Sequence, residues 1–416
     1  MNNEFLPQRG VRRHNAHARP HTNTNWTRPE AFQTPETIAS AEEQDTHTNT
    51  AGPVISHHPQ PKKTLKERLK AITKKQWIII AAAASVLFIG GGFAVYHLFI
   101  KGDPQPKIVT LKKETKPTLP QPTTVASTLT GLQVDPSINE RPVTAVMIEN
   151  SPDARPQSGL HEAGVAFEAV AEGGITRFLT LFQDTAPDYI GPVRSVRPYY
   201  VQWALGFDAA VAHVGGSAEG LALVRQNKDL DQFFNPGQYW RVNTRVAPHN
   251  MYSNVQLLRD RQTEKGWGKS SFTGFARKAK EAPSATVTAR TIDFNISGAL
   301  YNSHYDYDPA SNSYLRSEGG KPHTDERSGQ QISPKVVIGL VMPQGKNGVY
   351  TTYNTLGSGR AFVFQDGTVV DATWEKAGNT SQFTFKDLNT GAEIKLNPGR
   401  TWLTVVGSTD RVMHKP

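Results

Sequence analysis

Residues Trp77 to Ile100 carry no charge, an apolar run of 24 positions in a chain of 416. At about 1.5 Å per helical residue the run reaches about 36 Å, enough to cross a hydrocarbon core of ~30 Å. A transmembrane helix is therefore predicted there. From Arg141 onward the pattern changes to short apolar runs broken by turn residues. Val143–Glu149 and Phe207–Val214 read as buried strands. Val165 to Gln183 reads as a β-hairpin turning at Gly173-Gly174, because two glycines suit the two-residue hairpin turns. Pro198–Gly206 opens on proline and closes on glycine, as helices do, and a second helix is predicted from Ser217. Beyond about residue 285 the runs are strand-like: Pro334–Met342, a hairpin turning at Asp366-Gly367, a turn at Asn389–Gly391, and Thr401–Gly407.

The predicted fold class is α+β, with a single N-terminal transmembrane helix at 76–100. A mixed α/β first domain follows at 141–285, and a β-rich second domain at 286–416. Residues 1–75 read as a disordered tail ending in a basic segment, because the tail lacks the large apolar groups that a core needs. Residues 101–140 read as a Pro/Lys/Thr-rich spacer.

Charge orients these parts. Just before the apolar run stand Lys62, Lys63, Lys66, Arg68, Lys70, Lys74 and Lys75, against Glu67 alone. The positive-inside rule then places the N-terminus in the cytoplasm and residues 101–416 outside, with the run kept as a signal anchor in the cell membrane. The formal net charge is +9, but residues 141–416 hold 29 basic and 26 acidic side chains, so no nucleic-acid partner is expected. There is no cysteine, which excludes disulfides, thiol catalysis, cysteine metal ligands and a lipid-bearing cysteine. The histidines lack HExxH spacing, and no Walker or dinucleotide fingerprint occurs. No metal and no cofactor are expected.

Candidate chemistry falls at predicted turns and strand ends. If Gly173-Gly174 is the hairpin loop, simple alternation puts Glu168, Val170 and Glu172 on one face with Ile175, Arg177 and Leu179. Two carboxylates would then flank the Arg177 guanidinium, as an acid/base pair, a ligand clamp or a structural ion cluster. GPVRSVRP places Arg194, Ser195 and Arg197 before a helix, where two guanidiniums and free N–H groups suit an anion. Ser195 fits a capping role better than a nucleophile's, since no GxSxG surrounds it. HVGGSAEG offers His213, Gly215, Gly216 and Ser217 at a strand–turn–helix junction that exposes N–H groups. APHN carries His249 and Asn250 in a loop able to aim an imidazole into a cleft.

The stretches RPVTAVMIEN, ARPQSGL, EGGITRF, GPVRSVRPYY, HVGGS, APHN and FQDG…TWE…IKLNPGRTWL, in this order between Arg141 and Val406, resemble the YerB-like family of bacterial lipoproteins. That resemblance implies an exported, membrane-tethered protein of two consecutive domains, mixed α/β and then β-rich, with no established reaction. This chain departs from the lipoprotein members in having a helix where they have a lipid.

The function expected is that of a cell-envelope protein held in the membrane through Trp77–Ile100. One cleft in the first outer domain would bind an anionic cell-wall polymer or peptide, or an envelope partner protein. Its ligand-binding residues would be Arg155, Arg177, Arg194, Ser195, Arg197, Gly215, Gly216, Ser217, His249 and Asn250. The alternatives are an envelope glycan or peptide hydrolase or transferase, with Glu168, Glu172, His213 and His249 as catalytic candidates, and a structural scaffold. The absence of a complete nucleophilic triad weighs against an enzyme.

Overall fold

The computed structural model describes residues 73–99 and 123–416. Residues 1–72 of the tail expected to be disordered and the Pro-rich part of the spacer lie outside the described residues; Lys74 and Lys75, expected in the tail, instead open the first helix. Helix α1 is Lys74–Phe99, 26 residues and about 39 Å long. Length and composition suffice to cross a membrane, and Trp77, Ile79, Val86, Leu87 and Ile89 are exposed.

Residues 123–416 belong to one compact unit. Its strands are β1 Thr144–Glu149, β2 Val165–Glu172, β3 Ile175–Phe182, β4 Ala210–His213, β5 Asp229–Asp231, β6 Tyr239–Arg241 and β7 Met251–Ser253. They continue with β8 Thr291–Phe294, β9 Ser303–Asp308, β10 Ser313–Glu318, β11 Val336–Val341, β12 Gln344–Asn347 and β13 Tyr350–Tyr353. The last are β14 Gly357–Gln365, β15 Thr368–Lys376, β16 Thr384–Asp387, β17 Thr401–Val406 and β18 Val412–Lys415. The short helices are α2 Pro198–Leu205, α3 Ala218–Val224 and α4 Val255–Glu264. The predicted hairpin, helices and buried strands are thus present, with Gly173 and Gly174 both at positive φ in the hairpin turn, where a side chain would be strained.

A 12-stranded mixed sheet runs β16-β15-β14-β11-β17-β2-β3-β1-β4-β5, with the β12–β13 hairpin attached to β2. The sequence divides near residue 285 into a mixed part and a β-rich part, yet both parts build this one sheet. Strand β17, from the C-terminal end, lies parallel between β11 and β2. A smaller sheet contains β10-β9-β8-β18.

Alternate residues of the central strands serve two cores. One face carries Met147, Phe167, Leu179 and Leu403 and packs against Tyr200 and Trp203 of α2. The other carries Ile148, Phe178 and Trp402 and packs against Phe294 and Tyr305 of the small sheet and Leu258 of α4. Tyr305 and Tyr307 are buried in this second core.

The expected spacer ends earlier than residue 140. Leu129 sits in the first core, Ser127 Oγ donates to Asp184 (2.7 Å), and Arg277 donates to the Leu129 carbonyl (2.9 Å). Leu129, in a Pro/Thr-rich stretch, supplies the apolar anchor that composition averaging hides.

Because β17 completes the β2 edge, a fragment of residues 123–285 is expected to lack near-UV circular dichroism and a cooperative thermal transition. A sharp melting transition in that fragment would show that the two halves fold independently.

Candidate functional site

Strand β1 ends at Glu149, and the chain leaves the sheet through Asn150–Gln157. Glu149 faces the α2 side and Asn150 faces the small sheet, so polar groups gather on both faces at this one strand end.

On the α2 side, Glu149 Oε1 receives the Ser151 hydroxyl (3.0 Å) and lies 3.0 Å from His249 Nδ1 and 3.2 Å from Arg194 Nε. The other oxygen, Oε2, is buried without a hydrogen-bond partner among the described residues. Arg194 is placed here because its own N–H donates to the Met147 carbonyl beside β1 (2.8 Å). His249 Nε2 lies 3.9 Å from Asp153 Oδ2. His249 and Asp153 line a cavity of about 590 Å³ together with Arg155, Arg245, Val246 and Glu326. Arg245 pins the loop by donating to the carbonyls of Asp153 (2.9 Å) and Pro156 (2.6 Å) and pairs with Glu326 (3.3 Å). Arg155 donates to Asn150 Oδ1 (3.1 Å) and to the Leu300 carbonyl (2.8 Å). It also lines a second cavity of about 420 Å³ with Glu318, Lys321 and His323.

The expected Glu168–Arg177–Glu172 triad does not form. A β-bulge at Ala171 puts one extra residue between Val170 and Glu172, so Val170 pairs Thr176 and Arg177 pairs Ala169. One added residue reverses the alternation and sends the two carboxylates to opposite faces. Glu172 accepts from both Nη atoms of Arg177 (2.7 Å for the Nη1 bond) and from Arg197, whose guanidinium lies 4.6 Å from the Tyr350 ring centroid. Burial opposes ionisation of Glu172, but the Arg177 hydrogen bonds and the Arg177 and Arg197 charges outweigh it and hold the carboxyl below the usual glutamate range. A carboxylate locked in that way is a poor proton shuttle at neutral pH.

Glu168 is fully buried on the other face. Both its oxygens accept from Arg316 Nη2 (2.9 Å each), and Oε2 also accepts from Trp402 Nε1 (3.2 Å). Burial nonetheless pushes its carboxyl upward, against the pull of Arg316. Arg316 continues to His323, whose Nε2 lies 2.9 Å from Gln157 Oε1, and Gln157 donates to Asn150 Oδ1 (2.8 Å). Burial holds the His323 ring well below the usual histidine range, and the Arg316 charge adds to this, so the ring is neutral.

The remaining candidates line neither of these two cavities. His213 is buried with Nε2 3.0 Å from Asp229 Oδ1 and Nδ1 2.9 Å from the Gly215 carbonyl, tying β4 to β5. Gly215 N donates to Asp231 (3.2 Å) and Ser217 N to the Val196 carbonyl (3.2 Å), so these two N–H groups of the turn are already spent within the fold. A Cβ on Gly216 would fall 2.8 Å from Val196 Cγ1, which is why glycine stands there. The Ser217 hydroxyl caps α3. Ser195 makes no side-chain hydrogen bond among the described residues and caps nothing; Arg197 occupies the N-cap of α2. Asn250 accepts from Arg241 (2.6 Å) and donates to the Val242 carbonyl (2.9 Å). The single expected cleft thus resolves into separate clusters, and of its members only Arg155 and His249 line the larger cavity. Sequence reading missed Glu149, Asp153, Glu326, Arg316 and Glu318. The one local signal for Glu149 was a lone acid closing an apolar strand.

Fold and site together define a single α+β body with a charge-lined cavity at the end of a central strand. The chain belongs to the family described as "Protein of unknown function (DUF3048)": the N-terminal domain model matches residues 129–268 and the C-terminal domain model residues 292–403. It is similar to "Putative lipoprotein YerB" of Bacillus subtilis (strain 168), with 29% identity over 296 residues, 68% of this chain and 86% of the relative. The crystal structure of YerB protein from Bacillus subtilis aligns with a TM-score of 0.63 and 27% identity, covering 70% of this chain and all of that one. The resemblance read from the motifs therefore holds, as does the α+β, strand-rich body.

Glu172→Gln is expected to cost about 3 kcal/mol at pH 7 in urea unfolding, because it leaves buried Arg177 without its carboxylate. The folded-state pKa of Glu172 is depressed, so its stabilisation is complete above the unfolded value of ~4.3 and fades as pH falls through the lower folded value. The gap between wild type and variant should therefore narrow below about pH 4. A gap that stays constant from pH 7 to 3 would contradict this role.

Proposed function

We propose that this is a membrane-anchored cell-envelope protein whose outer body binds a ligand bearing both a carboxylate and an amine, such as a wall peptide. In this reading helix α1 crosses the membrane once, with the N-terminus in the cytoplasm and the body outside. The basic segment before α1 and the lipoprotein name of the relative support that topology. The carrying observation is the mixed lining of the 590 Å³ cavity: Arg155, Arg245 and His249 face Asp153 and Glu326. A wall with both signs suits a zwitterionic peptide, or the charged end of an envelope partner protein, better than a polyanionic wall polymer.

One observation favours a hydrolytic reading second. The buried Glu149 carboxylate steadies His249 at Nδ1 and leaves Nε2 toward Asp153, the arrangement of an imidazole that takes a proton from water. Glu172 and His213, both engaged elsewhere, have no part in it.

The test is binding of the full-length chain, in phosphatidylcholine nanodiscs, to isolated cell-wall sacculi at low and ~0.5 M salt. Wild type is expected to bind at both salts. Asp153→Lys, at an exposed position, and His249→Ala are expected to bind at least about tenfold more weakly while melting at the same temperature. A folded wild-type chain that binds no sacculi would overturn the wall-ligand reading. Release of soluble fragments by wild type but not by His249→Ala would move it to the hydrolase.

A further inference from the structure

A third cavity, of about 410 Å³, shares no lining residue with the other two. Its walls come from the Gly173-Gly174 turn, the segments flanking β8 and β18, and the β12–β13 hairpin. Its charged lining is Lys346 and Arg411, with no carboxylate. This sets it apart from the other two cavities, whose guanidiniums are paired with acids. Neither Lys346 nor Arg411 makes an ion pair among the described residues, and Arg411 Nη1 spends one hydrogen bond on the Asn295 carbonyl (3.1 Å). The hydroxyls of Ser297 and Thr351 line the same space, and Ile296 and Val349 give it an apolar wall. Val349 is 72% exposed, a large apolar side chain left in solvent beside two unneutralised cations.

We infer that this cavity is a second ligand site, for an anion carrying a short apolar substituent, of which an alkyl phosphate is the model. Lys346 and Arg411 meet the phosphate oxygens, where charge-assisted hydrogen bonds are strongest, and the Thr351 hydroxyl completes the donor set, the Ser297 hydroxyl being spent on the Gly174 carbonyl (2.6 Å). Ile296 and Val349 take the alkyl group. The volume falls within the ~300–1,000 Å³ usual for small-ligand sites. The same chemistry is offered by a phospholipid headgroup and by a free phosphate ester. The site is independent of the peptide-binding reading, since no residue of the 590 Å³ cavity lines it.

The experiment is calorimetric titration of the full-length chain in phosphatidylcholine nanodiscs with butyl phosphate, inorganic phosphate and butanol. Butyl phosphate is expected to bind at least about tenfold more tightly than inorganic phosphate, with no heat from butanol. Lys346→Gln/Arg411→Gln should lower the affinity at least about tenfold, and Val349→Asp should remove the preference for the alkylated ligand. Asp153→Lys, in the other cavity, should leave all of this unchanged. Nanodiscs containing phosphatidylglycerol weaken the titration if lipid headgroups are the natural occupant and leave it intact if a free ester is. No butyl phosphate binding by the folded wild type, or equal binding by the folded Lys346→Gln/Arg411→Gln chain, would overturn the site.

Discussion

The Glu168–Arg316 pair is the constraint on which the rest of the body depends. Both side chains are fully buried, on β2 of the central sheet and β10 of the small sheet, 148 positions apart in sequence. Removing such ions from water costs several kcal/mol each, and the mutual attraction offsets this only when geometry and additional hydrogen bonds are good. Here the carboxylate takes both its oxygens to one guanidinium and adds Trp402 Nε1. The guanidinium adds the Tyr305 hydroxyl (3.2 Å) and lies 4.8 Å from the Trp402 ring centroid. The pair therefore fixes how the small sheet sits on the large one. Through His323, Gln157 and Asn150 it also fixes the loop that carries Asp153 and Arg155. The cavity at the end of β1 is shaped by a contact that no ligand in it would touch.

The bulge at Ala171 is the second decisive feature. Without it, Glu168 and Glu172 would share a face and compete for one arginine. With it, each carboxylate has its own guanidinium partners on its own face, and neither is free for proton transfer. The polar residues that the sequence groups as one binding cleft are thus divided between the two faces of the sheet. What is left at the β1 end is Glu149 with Ser151, Arg194 and His249, a smaller group and the better placed one for chemistry.

Local signals carried much of the fold. The Gly-Gly turn, the Pro-to-Gly helix, the Ser217 cap and the β-branched strands were all legible, because each is set by residues near in sequence. The insertion of Thr401–Val406 between β11 and β2 was not, since both its neighbours are distant in sequence and its own pattern says only that it is a buried strand. The bulge was hidden for a related reason: VAFEAVAE reads as unbroken alternation, and nothing local marks Ala171 as the extra residue. At the site, Arg155 and His249 were legible from their loops. Arg316 was invisible inside an ordinary-looking strand, SYLRSE, because its partner lies across a sheet-to-sheet interface that only the assembled fold defines.

The most direct measurement is a double-mutant cycle on the buried pair, Glu168→Leu and Arg316→Met, followed by urea unfolding at pH 7. If the pair holds the two sheets in place, each single variant loses about 3–5 kcal/mol, because it unbalances a buried cluster in which Arg316 also faces Glu318 (3.4 Å). The double variant then recovers most of that loss, giving a coupling of several kcal/mol. Single variants that lose less than about 1 kcal/mol and simply add would contradict the account, and would mean that the sheets are held by their apolar faces alone.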